Sequence, residues 1–253
     1  MVEIALPRVI GHRGAAAAAP ENTLASLKKA NELGARWVEF DVKLTRDRVP
    51  ILFHDERLER TTDGRGKVAE ATLDQICALD AGGWFDPAFS GEPVPTLAAA
   101  LELCAALGLG INLEIKPCPG RAVETAEQVI EVLLGHWPKH GETPLISSFA
   151  HTCLEVAATT APELPRGYLA RRLPRAWAVE LQRYGCASLH LNQQWAGERQ
   201  IQALREAGVP LVLYTVNHPA RAAAVLKAGA TSVITDRVGE VLAVVERRSR
   251  ADD

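Results

Sequence analysis

The stretch WVEFDVKLTRDRVPILFH, residues 37–54, decides which fold the chain adopts. The alternating pattern of Trp37–Leu44 predicts a strand, and Pro50–His54 predicts a second one. Only five residues separate the two strands, whereas a parallel crossover needs a dozen or more. The two strands therefore form an antiparallel hairpin.

On either side of this hairpin, short strand patterns alternate with helix patterns. Further strands are predicted at Arg8–His12, Ile111–Lys116, Leu145–Phe149, Gly167–Ala170, Ser188–Asn192, Leu211–Val216 and Ser232–Thr235. Helices are predicted between them, for example over 22–33, 96–107, 122–134 and 198–207. This alternation is typical of a parallel sheet covered by helices. Nine strands are predicted, and eight remain without the return arm of the hairpin, which fits a (β/α)₈ TIM barrel of the α/β class.

Residues 56–95 interrupt the alternation with turn-rich sequence and one short predicted helix, Leu73–Leu79. We interpret them as an insertion at the catalytic mouth, directly after the motif His54-Asp55. Long loops in compact domains are usually lids or binding loops. We expect residues 1–253 to form a single barrel domain that carries this insertion.

Composition excludes several classes of partner. Hydrophobic residues make up 47% of the 253 residues, and the formal net charge is −3 with scattered basic residues. We therefore do not expect a disordered chain or a nucleic-acid partner. We expect a small-molecule partner instead. The five cysteines are far apart and form no CxxC pair, which predicts reduced thiols in a cytoplasmic protein. No signal peptide and no apolar run of about 20 residues is apparent, so no membrane partner is expected.

The hairpin also predicts which side chains meet. If its turn centres on Arg46-Asp47, Glu39 lies opposite His54. Asp41 shares the face of Glu39, because strand side chains repeat every two residues. A β-bulge would shift this register by one residue.

Three carboxylates lie in otherwise apolar strands: Glu39, Asp41 and Glu114. Buried carboxylates need a partner, and a structural salt bridge is one alternative. An all-oxygen set of ligands selects a hard cation, so we predict one divalent cation, Mg²⁺ or Ca²⁺, rather than Zn²⁺.

The two histidines are then free for acid–base work. His12 follows a glycine at the end of the first strand, where barrel active sites are built; its alternative role is a core histidine bonded to backbone. His12 and His54 together suit in-line phosphoryl transfer, in which one group deprotonates the attacking oxygen and the other protonates the leaving oxygen. We do not expect Asp55 to orient His54, because adjacent strand residues point to opposite faces.

Arg13 and Lys116 are candidate phosphate contacts. The planar fork of Arg13 suits a phosphate, although Arg13 could be a surface cation. Lys116 could hold the phosphate or pair with Glu114, and the sequence leaves both open.

The motifs taken together resemble the glycerophosphodiester phosphodiesterase family, most closely its cytoplasmic bacterial branch. They are His12-Arg13-Gly14, Pro20-Glu21-Asn22-Thr23, Glu39-x-Asp41-Val42, His54-Asp55, Leu58-x-Arg60-Thr61-Thr62 and Glu114-Ile115-Lys116-Pro117. The resemblance implies a (β/α)₈ barrel that hydrolyses a glycerophosphodiester to sn-glycerol 3-phosphate and an alcohol. It implies catalytic His12 and His54, metal ligands Glu39, Asp41 and Glu114, and phosphate contacts Arg13 and Lys116.

Two other functions compete with this one. A lysophospholipase D on the same barrel would need an amphipathic anchor, and the sequence shows none. A barrel that binds a phosphate ligand without turnover would usually lack a histidine or a metal carboxylate, and all of them are present. The preferred head group and the oligomeric state are not predicted.

Overall fold

The computed structural model describes residues 4–252, and the side chains of residues 4–247. Nine strands lie in this part of the chain. They are β1 (Val9–His12), β2 (Trp37–Leu44), β3 (Pro50–Leu52), β4 (Gly110–Ile115), β5 (Leu145–Ser148), β6 (Arg166–Ala170), β7 (Ser188–Asn192), β8 (Leu211–Tyr214) and β9 (Ser232–Thr235).

Eight of these strands close into a parallel barrel. They follow the order β1-β2-β4-β5-β6-β7-β8-β9, and β1 also pairs with β9 to complete the ring. Strand β3 pairs antiparallel with β2 alone and stays outside the ring. The predicted (β/α)₈ barrel and its hairpin are confirmed.

Helices cover the outside of the barrel. They are α1 (Leu24–Glu32), α2 (Leu73–Cys77), α3 (Leu97–Ala106), α4 (Ala122–His136), α5 (His151–Thr160), α6 (Trp177–Arg183), α7 (Glu198–Glu206), α8 (Pro219–Ala228) and α9 (Val238–Asp252). Threonine side chains begin several of them; the hydroxyl of Thr23, for example, accepts from the backbone N–H of Ser26 at 3.1 Å and satisfies a free donor of the first turn.

The hairpin register differs from the predicted one by one residue. Val42 pairs with Leu52, so the turn centres on Asp47. Arg48 takes a left-handed φ of 67° in this turn, and such a single left-handed residue is what lets a five-residue connection close. The predicted pairing of Glu39 with His54 is therefore wrong. The backbone N–H of Phe53 instead donates to the carbonyl of Asp41 at 3.0 Å.

The barrel interior changes from apolar to polar along the strands. Ile10, Trp37, Leu145, Val212 and Ile234 form an apolar layer near the strand starts. Farther along, the strands carry buried polar residues, which include Asn112, Ser147, Ser188 and His190. The carboxylates lie among them, since Glu39 pairs with Asn112 and Glu114 pairs with Ser147 in the strand ladders. The apolar layer closes the barrel from below, so that the polar chemistry is confined to one mouth.

Residues 56–95 form the predicted insertion. They contain α2 and two 3₁₀ turns at Val68–Glu70 and Pro87–Phe89. Residues such as Leu58, Val68 and Ile76 build a small hydrophobic cluster of their own against β3. The insertion therefore lies beside the hairpin, next to the mouth. No helix within residues 4–252 is long and apolar enough to cross a membrane.

Candidate active site

Three buried carboxylates meet on β2 and β4, at the level where β1 ends. Glu39, Asp41 and Glu114 each offer an oxygen, and these oxygens lie within 4.8 Å of one another. The strand register causes this meeting, because Asp41 is the direct neighbour of Glu114 in the β2–β4 ladder. The structure thus brings together the three predicted metal ligands.

The electrostatics of this triad favour a bound cation. Burial, reinforced by Asp41 and Glu114, raises the pKa of Glu39 well above its usual value. Burial and the charge of Asp41 raise the pKa of Glu114 to about 7. A divalent cation would remove this repulsion, and three carboxylate oxygens fit a hard one. The residues present therefore could hold a metal ion.

Asp41 is the carboxylate with the most polar partners. Arg13 Nε lies 3.1 Å from its Oδ2 and Lys116 Nζ lies 3.6 Å from its Oδ1. The amide of Asn22 donates to Oδ2 at 3.0 Å. Although burial opposes ionisation, Arg13 and Lys116 hold the pKa of Asp41 below its usual value.

The loop after β1 brings Arg13 to this position. Gly14 has a φ of +87°, and a Cβ there would lie 2.5 Å from the hydroxyl oxygen of Ser26. Only glycine fits this close approach of the loop to α1. Arg13 itself takes a φ of 50°, and its backbone N–H donates to Glu39 at 3.1 Å.

Lys116 follows the end of β4 and faces the triad. Its Nζ donates to Glu114 at 3.0 Å. Pairing with Glu114, one of the two roles that the sequence left open, is thus seen in the structure. A contact with a phosphate remains compatible with it, because Lys116 also lines the cavity described below.

His12 has a carboxylate on its Nδ1 atom. This atom donates to Asp236 at 2.6 Å, and Asp236 is held in turn by the amide of Asn217 at 2.5 Å. The arrangement leaves Nε2 as the free ring nitrogen, 3.9 Å from Glu39. Burial raises the pKa of Asp236, but His12, Asn217 and the charge of Arg13 together outweigh burial and lower that pKa below its usual value.

His54 also has a carboxylate on its Nδ1 atom, and this contact was not predicted from the sequence. Its Nδ1 donates to Asp55 at 2.5 Å. The expectation that Asp55 does not orient His54 is wrong, because β3 ends at Leu52 and the strict alternation of faces ends with it. Burial, with help from Arg13 and Lys116, lowers the pKa of His54.

Arg60 of the insertion ties the two sides of the mouth together. It makes paired contacts to Asp55 at 2.6 and 3.0 Å and to Glu21 at 2.8 and 2.9 Å. Arg60 lowers the pKa of Asp55 to about 2. Glu21 also accepts from Arg13 at 2.6 Å. Through Arg60, the insertion therefore contacts the carboxylates that hold His54 and Arg13.

The two histidines, Arg13, Lys116 and two carboxylates of the triad line one cavity of about 480 Å³. Its lining comprises His12, Arg13, Asp41, His54, Glu114, Lys116, Phe149, Arg171, Asn192, Gln193, Gln194, Tyr214 and Thr215. Six of the seven predicted site residues are in this lining, and the seventh, Glu39, belongs to the triad.

Four supporting residues were given no role from the sequence: Glu21, Arg60, Asn217 and Asp236. Glu21 and Arg60 lie within quoted motifs, whereas Asn217 and Asp236 directly follow the last two predicted strands. That position was a usable signal, because active-site residues of barrels collect at carboxyl ends of strands.

Comparisons with known proteins identify the family of this chain. The sequence model of the glycerophosphoryl diester phosphodiesterase family matches residues 12–240. A glycerophosphodiester phosphodiesterase of Caldanaerobacter subterraneus subsp. tengcongensis is 36% identical over 229 residues, which cover 90% of this chain and 93% of the relative.

Solved structures agree as well. A phosphodiesterase of Oleispira antarctica, solved in complex with the product sn-glycerol-3-phosphate, has a TM-score of 0.93 and 39% identity; the match covers 95% of this chain and 97% of that one. A glycerophosphodiester phosphodiesterase of Agrobacterium tumefaciens has a TM-score of 0.77 and 29% identity, with 94% and 100% covered.

The fold and the site together define a phosphoric diester hydrolase built on a (β/α)₈ barrel. The chain belongs to the glycerophosphoryl diester phosphodiesterase family. Its substrate is accordingly a small molecule that contains a phosphodiester.

Proposed function

We propose that this enzyme hydrolyses glycerophosphodiesters, such as glycerophosphocholine and glycerophosphoethanolamine, to sn-glycerol 3-phosphate and an alcohol. One observation carries the proposal: two imidazoles, two phosphate-binding cations and a buried carboxylate triad surround a single cavity. The product complex of the Oleispira antarctica relative supports the choice of product.

In this proposal His12 and His54 transfer the protons. Each ring has its Nδ1 occupied by a carboxylate, Asp236 or Asp55, so Nε2 is the atom that exchanges a proton with substrate. One imidazole removes the proton of the oxygen that attacks phosphorus, and the other protonates the oxygen that leaves. Each transfer is worth about 10²- to 10⁴-fold in rate.

Arg13 and Lys116 would bind the phosphate. Both line the cavity and both already face Asp41, so their charges converge on the place where a phosphate meets the triad. The guanidinium can contact two oxygens at once, and the ammonium acts as a point charge. Together they would stabilise negative charge on the non-bridging oxygens.

Glu39, Asp41 and Glu114 would hold one divalent cation, Mg²⁺ or Ca²⁺. When bound, such a cation acts as a Lewis acid toward a phosphoryl oxygen. The raised pKa values of Glu39 and Glu114 support this assignment, because both carboxylates are poorly neutralised by the protein itself.

We further propose a cytoplasmic enzyme, with residues 1–253 as one domain, that acts on a soluble small molecule rather than on nucleic acid or a membrane. The five free cysteines support a reducing compartment. The contact of the insertion with Glu21 and Asp55 through Arg60 supports a single domain.

Release of sn-glycerol 3-phosphate tests the proposal directly. Purified protein is incubated with glycerophosphocholine, glycerophosphoethanolamine and glycerophosphoglycerol, each with Mg²⁺, with Ca²⁺ and with EDTA. The proposal predicts release with a metal and none with EDTA. Release that EDTA leaves unchanged would contradict the metal site, and turnover of lysophospholipids alone would contradict the substrate class.

A further inference from the structure

The wall of the cavity opposite the triad carries a positive charge that has no role in the proposed catalysis. The triad lies on β2 and β4, and the ring order places β6, β7 and β8 across the barrel from them. Arg171, directly after β6, lines this wall. Its side chain is exposed, and among the described side chains it has no ion-pair or hydrogen-bond partner.

The neighbours of Arg171 on this wall offer no counter-charge. Asn192, the last residue of β7, and the following Gln193 and Gln194 are neutral amides. The carboxylates in the cavity lining, Asp41 and Glu114, stand on the opposite side. The nearby carboxylates outside the lining already face cations or His12: Glu21 and Asp55 face Arg60, and Asp236 faces His12.

Arg171 is not needed to offset the charges of the triad and of the substrate phosphate. A divalent cation, Arg13 and Lys116 together offset the three carboxylates and the single charge of a phosphodiester. The positive charge of Arg171 is therefore available to act on the head group, which is the part of the substrate that varies.

The aromatic rings of the cavity do not form a cage for a cationic ligand. Phe149 and Tyr214 meet edge to face, with ring centroids 5.9 Å apart. Aromatic faces bind quaternary ammonium groups through cation–π contacts. Here, however, Lys116 Nζ already lies 5.8 Å from the centroid of Phe149. Burial raises the pKa of Tyr214 while the nearby charge of Arg171 opposes that rise, so Arg171 acts on this ring too.

We infer that Arg171 makes this enzyme select neutral or anionic head groups over cationic ones such as choline. The inference rests on the proposed function and names its substrate class. It requires that the head group, rather than the glycerol, lies toward Arg171. The glycerol part is the same in every substrate and is uncharged, so charge selectivity acts on the head group alone.

A pair of substrates with the same shape isolates this effect. The first is glycerophosphocholine, and the second is its 3,3-dimethylbutyl analogue, in which carbon replaces the quaternary nitrogen. The measured quantity is the ratio of their kcat/KM values in the wild type, Arg171→Met, Arg171→Glu and the control Arg175→Met. Arg175 is an exposed arginine between β6 and α6 that is absent from the cavity lining. Because ratios are compared between variants, the difference between the two leaving groups cancels.

One unit charge at a partly exposed site is worth about 10-fold, so we expect the kcat/KM ratio of the neutral analogue to glycerophosphocholine to be about 10-fold higher in the wild type than in Arg171→Met. Arg171→Glu should lower this ratio below that of Arg171→Met, and Arg175→Met should match the wild type. Release of sn-glycerol 3-phosphate with one ratio in all four proteins would overturn this inference and leave the proposed function standing. Failure of the folded wild type to release it from either ester would overturn both.

Discussion

His12 and His54 each donate Nδ1 to a carboxylate, but the two carboxylates have different partners. Asp236 accepts from His12 and from the neutral amide of Asn217. Asp55 shares its charge between His54 and the guanidinium of Arg60. Because a nearby cation already compensates Asp55, Asp236 has more charge left to stabilise a protonated imidazole. The two histidines therefore differ in their surroundings although their geometry is similar.

Asp236→Asn tests the support of His12. The amide cannot supply the negative charge that orients the ring and stabilises its protonated form. We expect kcat to fall by about 10- to 100-fold, as for other carboxylates that orient a functional histidine, with little change in KM. Steady-state kinetics on a glycerophosphodiester provide the measurement. A kcat near that of the wild type would show that Asn217 and the ring packing position His12 without this charge.

Glu114→Gln tests the triad. Removal of one of three carboxylate charges weakens a hard cation, whose affinity follows the number of charged ligands. We expect the Mg²⁺ or Ca²⁺ concentration that gives half-maximal turnover to rise by about 10-fold or more.

The matched control is Glu102→Gln, an exposed glutamate on α3 that pairs with His136. Its metal titration should overlay that of the wild type. Equal metal dependence in Glu114→Gln and the wild type would remove Glu114 from the ligand set.

Among the elements, the hairpin β2–β3 shows what the sequence could predict. The short linker excluded a parallel crossover, so the hairpin followed from loop length. Without its return arm, the alternating strand and helix patterns left eight strands for the barrel. The register could not be predicted, because it depends on Arg48 taking a left-handed conformation. For the same reason the contact between His54 and Asp55 was missed, since it needs a strand that ends at Leu52.

Strands β6 and β7 contact each other so closely that only glycine fits at one position. A Cβ on Gly167 would lie 2.5 Å from Nε2 of His190. Gly167→Ala should therefore lower the free energy of unfolding by about 1–3 kcal/mol, the usual cost of overpacking a core. Urea unfolding measures this loss.

Gly197→Ala is the control, because its φ is −75° and nothing lies within 4 Å of the added Cβ. It should change stability by less than about 0.5 kcal/mol. Equal stability of Gly167→Ala and the wild type would mean that His190 moves aside without cost.

At the scale of the whole molecule, buried His190 links stability to pH. It is fully buried beside Ser188, and burial lowers its pKa to about 3. An unfolded histidine has a pKa of about 6.5, so between these values the unfolded state binds one more proton. The free energy of unfolding should therefore fall on acidification below about pH 6.5, with a slope that approaches about 1.4 kcal/mol per pH unit.

His190→Gln removes this titration. The stability difference between wild type and variant, measured by urea unfolding from pH 7.5 to pH 5, should shift in favour of the variant as the pH falls. A difference that is independent of pH would contradict the assignment of a neutral buried imidazole.

The residues of the site could be predicted from the sequence more completely than the contacts between them. Histidines and carboxylates at strand ends could be assigned, because a parallel barrel brings all carboxyl ends of its strands to one mouth. Contacts across long sequence distances could not, since 224 positions separate His12 from Asp236 and no local pattern relates them. Arg60 was missed in the same way, because its partner Glu21 lies 39 positions away.

Turnover in His12→Ala and His54→Ala tests the central claim, that these two imidazoles transfer the protons of a metal-assisted hydrolysis. Release of sn-glycerol 3-phosphate is measured with Mg²⁺ in both variants and in His136→Ala, which replaces a half-exposed histidine on α4. We predict that each of the first two loses about 10²- to 10⁴-fold in kcat, while folding and metal binding are retained and His136→Ala matches the wild type. A kcat near that of the wild type in either His12→Ala or His54→Ala would contradict the account.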